Sequence, residues 1–427
     1  MTEIERSRIT HMTEPRERVL QALNFREPDR VPIDLGGHRA SGIMAMAYVR
    51  LRDYLGLPRT VPHVYDFPQQ LAIVEDDVLE RFHVDVVELG RGFCLDDSCW
   101  HPWVLPDGTD CLIPTWIHPF RRNGDWVVQH RDGTPIALQK QSMIYFDQAC
   151  FPLADDAESK LSRLEEMIEY DMWAALPTPP GPIPYDRDGL ATLAEGARRF
   201  RDRTSRAIVG LFRCPLLEGG QHLFGMEEFY LLLAGAPALA HRFLDRLTEL
   251  YLSRLERYLG AVGPYIDVLA CYDDYGMQTG LQISPAMYRE FFRPRQELLW
   301  KTAKRLAPVK VLLHSCGSIS AILPGMIDAG LDAITPVQIS AVDMEPAMLK
   351  ARFGGRVTFW GGGCDTQHVL RTGASAAIKE HVFANLEALS PGGGFVFQQV
   401  HNIEADVPPQ NIVTMFDAVD EWNSGLL

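Results

Sequence analysis

The chain has 427 residues, 46% of them apolar, and a formal net charge of −15 from 41 basic and 56 acidic side chains. That balance, with no basic run interleaved with aromatics, excludes nucleic acid and anionic membrane surfaces as expected partners. No uncharged apolar run reaches membrane-spanning length and the segment Met1 to Arg8 lacks a signal-peptide pattern, so a soluble, cytoplasmic protein with its eight cysteines as free thiols is expected.

Residues 1–12 are polar and are expected to be disordered. From Thr13 a helix is predicted, with Thr13 as N-cap and Pro15 in the first turn. Glu27 to Pro32 breaks it, and Val31–Leu35 reads as a first strand running into Gly36-Gly-His-Arg39. Val84–Leu89 is a second. Between residues 93 and 150 the period changes: Asp107-Gly, Asn123-Gly and Asp132-Gly are hairpin turn signals separating alternating segments. This stretch is expected to be an antiparallel β insertion whose four tryptophans serve sheet packing. Leu176 to Pro184 carries five prolines and reads as a stiff linker.

Beyond it, strands near 207–212, 266–271, 308–313, 332–335, 357–360 and 394–398 alternate with amphipathic helical segments. With the first two they make eight. The fold class predicted is α/β: a single (β/α)8 TIM barrel domain over 1–427 with the insertion after the second strand. In such a barrel the active site lies at the C-terminal strand ends.

Polar side chains collect at those ends: His38 and Arg39; Tyr272, Asp273 and Asp274; His314 and Cys316; Gln338; Trp360 and Cys364; Gln398, His401 and Asn402. His314 and Cys316 are two apart, so on an extended strand end they point the same way. Cys364 follows another strand and three glycines. One imidazole and two thiols are three of the four ligands of a tetrahedral zinc site, and Glu218, Asp273 and Cys271 are candidates for a fourth. Asp273 and Asp274 are expected to orient substrate or a ligand, and His401 to assist a departing oxygen. His38, Arg39, Tyr272, Gln338, Trp360, Gln398 and Asn402 are the substrate-binding candidates.

The runs Arg26-Glu-Pro-Asp-Arg-Val-Pro32, Asp273-Asp-Tyr-Gly276 with Ile283-Ser-Pro-Ala-Met-Tyr288, His314-Ser-Cys-Gly317, and Gly392-Gly-Gly-Phe with His401-Asn-Ile-Glu-Ala-Asp-Val-Pro408 resemble the uroporphyrinogen decarboxylase superfamily. True decarboxylases carry an arginine-rich segment after the first strand; here Arg39 stands alone, too few guanidiniums for eight substrate carboxylates. The His-x-Cys and distant Cys resemble instead the zinc-dependent branch that exchanges methyl groups with a corrinoid protein. That resemblance implies zinc as cofactor, a cobalamin carried by a partner protein, and a small methylated substrate, with a methoxylated aromatic favoured. A homodimer is a fold-level expectation. Transfer from a methyl-corrinoid to a thiol, uroporphyrinogen decarboxylation, and a non-catalytic metal- or corrinoid-binding role are the alternatives left open.

Overall fold

Seven short strands, most of them rich in Val, Ile, Leu and Ala, form one parallel sheet in simple chain order: β1 (Val86–Glu88), β2 (Ala207–Leu211), β3 (Val268–Tyr272), β4 (Lys310–His314), β5 (Ala333–Thr335), β6 (Thr358–Trp360) and β7 (Phe395–Val396). The computed structural model describes residues 13–425, and the expectation for residues 1–12 falls outside them. Almost every strand residue is buried, as it must be where helices cover a parallel sheet. Each connection from β2 onward contains a helix, among them Pro237–Val262, Arg293–Leu306, Leu323–Ala329, Pro346–Phe353 and Ser375–Leu389. The result is a TIM-like α/β architecture.

The predicted first strand, Val31–Leu35, is reduced to a single parallel bridge between Ile33 and Phe397. Pro32 has no N–H to give a ladder, and the N–H of Ile33 goes to the Asp85 side chain at 2.9 Å. The segment still joins the two edges of the sheet. On one side Asp34 donates to the Phe397 carbonyl and Phe397 to the Pro32 carbonyl, both at 2.8 Å; on the other Asp85 donates to the Ile33 carbonyl at 2.8 Å.

The first helix, α1 (Pro15–Leu23), begins with Pro15 as predicted, but Thr13 does not cap it; Glu14 holds the cap position. Val19, Ala22 and Leu23 pack with the inward-facing Val86, Ala207, Val209, Val268, Ala270, Leu312, Ala333 and Val396. Thus α1 closes one end of the space inside the sheet. Arg18, 2% exposed, ties it there through Asp29 at 2.7 Å and the fully buried Asp85 at 2.6 Å. A buried carboxylate survives because two guanidiniums and a backbone N–H surround it.

Between β1 and β2 lie two antiparallel sheets. One pairs Trp100–Val104 with Asp110–Pro114; the other orders Phe120–Arg122, Asp125–Gln129, Pro135–Gln139 and Asp147–Gln148 consecutively. The Asn123-Gly124 turn has positive φ at both residues, 53° and 92°, the geometry that favours this dipeptide in a two-residue hairpin. Trp103 packs on Trp126 with ring centroids 5.4 Å apart, in keeping with a packing role. No helix among the described residues is long and apolar enough to cross a membrane.

Candidate metal and substrate site

The apolar run of β4 ends at His314, and the next three residues are pinned from both neighbours. Ser315 donates to the Thr335 carbonyl at 2.7 Å, and its hydroxyl accepts the N–H of Tyr275 at 3.0 Å. Gly317 has φ +81° and packs so tightly on Gly276 that a Cβ would lie 2.4 Å from a backbone carbon. Only glycine fits. Gln338 accepts the N–H of Gly317 at 2.8 Å and donates to Gln278 at 2.7 Å. It therefore braces the turn, a correction to its reading as a substrate contact.

Three side chains offer ligand atoms that all lie within 4.8 Å of one another: His314, Cys316 and His401. The Cys316 Sγ is 3.4 Å from His314 Nε2, and the two imidazole centroids are 5.6 Å apart. Burial, reinforced by the neighbouring imidazole, holds His314 well below the usual histidine range; burial likewise holds His401 down, at about 4. Both rings are therefore neutral at pH 7, the form that donates a lone pair to a metal. Burial pushes the Cys316 thiol up, with Asp274 and Glu218 adding to it. A cation would reverse that last effect.

Cys364 does not join them. It is fully buried, its Sγ falls outside the shared 4.8 Å, and its contact is the Asp365 carbonyl at 3.8 Å. The glycines before it explain the placement: Gly363 lies against Phe397, where a Cβ would meet the ring at 2.3 Å, and the Cys364 carbonyl accepts the N–H of Val400 at 2.8 Å. The expected trio of His314, Cys316 and Cys364 is thus not brought together, and His401 lies where Cys364 was expected.

Asp273 and Asp274 also separate. Asp273, 2% exposed, accepts the N–H groups of Leu216, Leu217 and Glu218 at 2.9–3.0 Å and the Tyr275 hydroxyl at 2.6 Å. It caps the helix α2 (Leu217–Phe224), so its catalytic assignment is corrected to a structural one. Asp274 instead accepts the N–H of Cys316 at 2.7 Å and lies 3.6 Å from His314 Nε2. Burial pushes both Asp274 and Glu218 upward, and the Asp274 and Asp273 carboxylates add to the effect on Glu218.

A cavity of about 330 Å³ opens over the cluster, lined by His314, Cys316, His401, Asp274 and Glu218 on the polar side. Tyr145, Phe146, Met172, Trp173 and Tyr272 supply apolar and aromatic walls. Arg39 and Tyr272, two of the substrate-binding candidates, also border it. The Arg39 guanidinium sits 4.9 Å from the Trp173 ring and 5.6 Å from Tyr272, with Nε 2.7 Å from the buried Asp66. A second cavity of about 570 Å³, bordered by Trp116 and the proline-rich 176–183 segment, shares Arg39, Trp173, Arg213 and Tyr272 with the first.

The remaining substrate candidates are behind the wall. His38 accepts or donates through Nε2 to Gln398 at 2.9 Å, and Trp360 donates to Asp34 at 2.8 Å; all four are fully buried. These three, His38, Trp360 and Gln398, are corrected to a buried polar network, and Asn402 to a brace that donates to Gln69 at 2.5 Å. Sequence reading missed Trp173, Asp171 and His222. For His222 a signal existed: Glu218 and His222 are four apart on a helix opening directly after a barrel strand, so they share a face.

The sequence pattern of the family described as uroporphyrinogen decarboxylase (URO-D) matches residues 181–422. Among curated relatives, the chain is 26% identical over 257 residues to the uroporphyrinogen decarboxylase of Psychromonas ingrahamii, covering 58% of this chain and 66% of that protein. It is 28% identical over 223 residues to that of Xanthomonas euvesicatoria pv. vesicatoria, covering 48% and 56%. The matches thus span less than two thirds of either relative's length. A solved methyltransferase from Methanosarcina mazei is similar in fold, with a TM-score of 0.56, 18% identity, and coverage of 96% of this chain and 99% of that one.

Proposed function

We propose that this chain, which belongs to the uroporphyrinogen decarboxylase family, is a methyltransferase that removes a methyl group from a small methylated compound, with a methoxylated aromatic favoured, and delivers it to a corrinoid carried by a separate protein. The observation that carries the proposal is the convergence of His314, Cys316 and His401 on a cavity with aromatic walls.

The donor set fits a zinc ion. Typical Zn–S and Zn–N bonds at a tetrahedral angle separate sulfur and nitrogen by about 3.6 Å, close to the 3.4 Å between Cys316 Sγ and His314 Nε2. His314, Cys316 and His401 would hold the ion, with Glu218 or Asp274 beside it. When bound, zinc supplies Lewis acidity, stabilising negative charge on a heteroatom that loses its methyl group. The chain's own residues do the rest. Asp274 fixes Cys316 through its backbone N–H; Asp273 fixes Glu218 by capping α2. Trp173, Phe146 and Met172 provide an apolar surface for a ring, and the Arg39 guanidinium lies over both the Trp173 and the Tyr272 ring.

Decarboxylation is the second reading, favoured by the relatives' names. Against it, the two arginines lining the cavity, Arg39 and Arg213, are each already paired, with Asp66 and Asp171. An anaerobic assay separates the two. Zinc-loaded protein, cob(I)alamin and a panel of methoxyarenes should give the visible spectrum of methylcobalamin together with free phenol. No transfer from any donor, with coproporphyrinogen formed from uroporphyrinogen by metal-free protein, would overturn the proposal.

A further inference from the structure

We propose that the second cavity, of about 570 Å³, is a binding compartment for an uncharged second ring of the compound held over the cluster. Under the demethylating reading, on which the inference rests, the substrate class becomes a two-ring methoxyarene. Arg39, Trp173, Arg213 and Tyr272 border both cavities. The Tyr272 ring lies 5.3 Å from the His314 ring and 5.6 Å from the Arg39 guanidinium, which is 4.9 Å from Trp173. The boundary between the two spaces thus begins at a ring that touches a side chain of the cluster. Pockets of about 300–1,000 Å³ enclose drug-sized ligands. A one-ring compound would leave the larger of the two spaces unused.

The outer wall joins two segments that the cluster does not use. Trp116, from the β insertion, donates through Nε1 to the Pro177 carbonyl at 3.0 Å. It packs so closely on Gly181 that a Cβ there would lie 2.8 Å from the indole. The insertion and the proline-rich linker are thereby fixed to each other. Trp173, Tyr185, Leu193, Phe212 and Tyr258 supply further aromatic and aliphatic surface.

The charges on the wall select an uncharged occupant. Arg39 is paired with Asp66 at 2.7 Å, Arg213 with Asp171 at 2.6 Å, Arg131 with Glu169 at 2.8 Å and Arg254 with Glu165 at 3.3 Å. An anion finds no guanidinium without a carboxylate, and a cation meets guanidiniums already seated on the aromatic faces of Trp173 and Tyr272. One polar group is open. Glu88 follows the inward-facing Val86 by two residues on β1, so its side chain points into the barrel mouth. It is 5% exposed; Oε1 accepts the N–H of Gly90 at 2.8 Å, and Oε2 has no hydrogen-bond partner among the described residues. Burial pushes this carboxyl up to about 7, so it offers an O–H donor in an apolar space. A hydroxyl on the distal ring would match it.

The first arm of the test needs no turnover: calorimetric titration of the zinc-loaded full chain with 4-methylphenol, 4-benzylphenol and bis(4-hydroxyphenyl)methane. Wild type should bind 4-benzylphenol at least about 10-fold more tightly than 4-methylphenol. The distal hydroxyl should add roughly 5-fold, a gain that Glu88→Leu removes. Ala175 and Ile183 line the second cavity and not the first, and Ala175→Trp and Ile183→Trp should each erase the two-ring preference. Equal affinities for the one-ring and two-ring phenols in wild type, or a preference that survives both substitutions, overturn the inference and leave the methyltransferase reading intact. A distal hydroxyl without effect overturns the part given to Glu88. The second arm is methyl transfer to cob(I)alamin from 1-methoxy-4-methylbenzene and 1-benzyl-4-methoxybenzene, whose kcat/KM values should differ by the same factor in wild type and converge in the two variants. A two-ring preference in binding with no transfer from either donor overturns the demethylating reading and leaves the compartment assigned. Variants that weaken cobalamin use and keep the two-ring preference give the compartment to the acceptor, and overturn the inference.

Discussion

Asp274 Oδ1 accepts the backbone N–H of Cys316 at 2.7 Å and stands 3.6 Å from His314 Nε2, so one carboxylate oxygen reaches both members of the His-x-Cys pair. The loop after β3 thus braces the loop after β4.

The ligand set can be read directly from metal content. His314→Ala, Cys316→Ser and His401→Ala should each reduce bound zinc from about one per chain to near none, as measured by elemental analysis after dialysis. Cys364→Ser should keep it. Zinc X-ray absorption should show one sulfur neighbour, and two would return Cys364 to the site.

Asp273→Asn should destabilise without emptying the cavity. The amide cannot accept at both positions, leaving one or more N–H groups at the start of α2 unsatisfied. A loss of about 2 kcal/mol in denaturant titration is expected.

Gly317→Ala should cost more than an ordinary surface change. The added Cβ meets backbone atoms of Gly276 and Met277 at 2.4–2.7 Å, and the residue's φ is +81°. A destabilisation of about 2–4 kcal/mol and weakened zinc retention should appear together.

Glu88 gives the protein a pH dependence of definite sign. Burial lifts its carboxyl from 4.5 to about 7 in the folded chain. Between those values the native state keeps a proton that the unfolded state has released, so stability falls as pH rises through the interval. Glu88→Gln should flatten that slope, by on the order of 3 kcal/mol at most across it, measured by chemical unfolding at pH 4.5, 6 and 7.5.

The strands were legible because buried parallel strands are continuous apolar runs, and the hairpins because Asn-Gly and Asp-Gly encode positive φ. His314 and Cys316 were legible for the same reason: two residues on one strand end need no tertiary knowledge. Cys364 misled because its distance from the strand end is absorbed by three glycines whose path depends on packing against Val337 and Phe397. His38, Trp360 and Gln398 misled because polarity at a rim does not tell inward from sideways. Trp173 and Asp171 sit on a short helix after the insertion, and nothing local ties that helix to the barrel mouth.

Helix α1, wedged against the small side chains Ala207, Ala270 and Ala333, makes the barrel a cul-de-sac. Whatever arrives over the cluster must retreat by the way it came. Under the proposed function, donor and acceptor both approach the cluster from the C-terminal face of the strands.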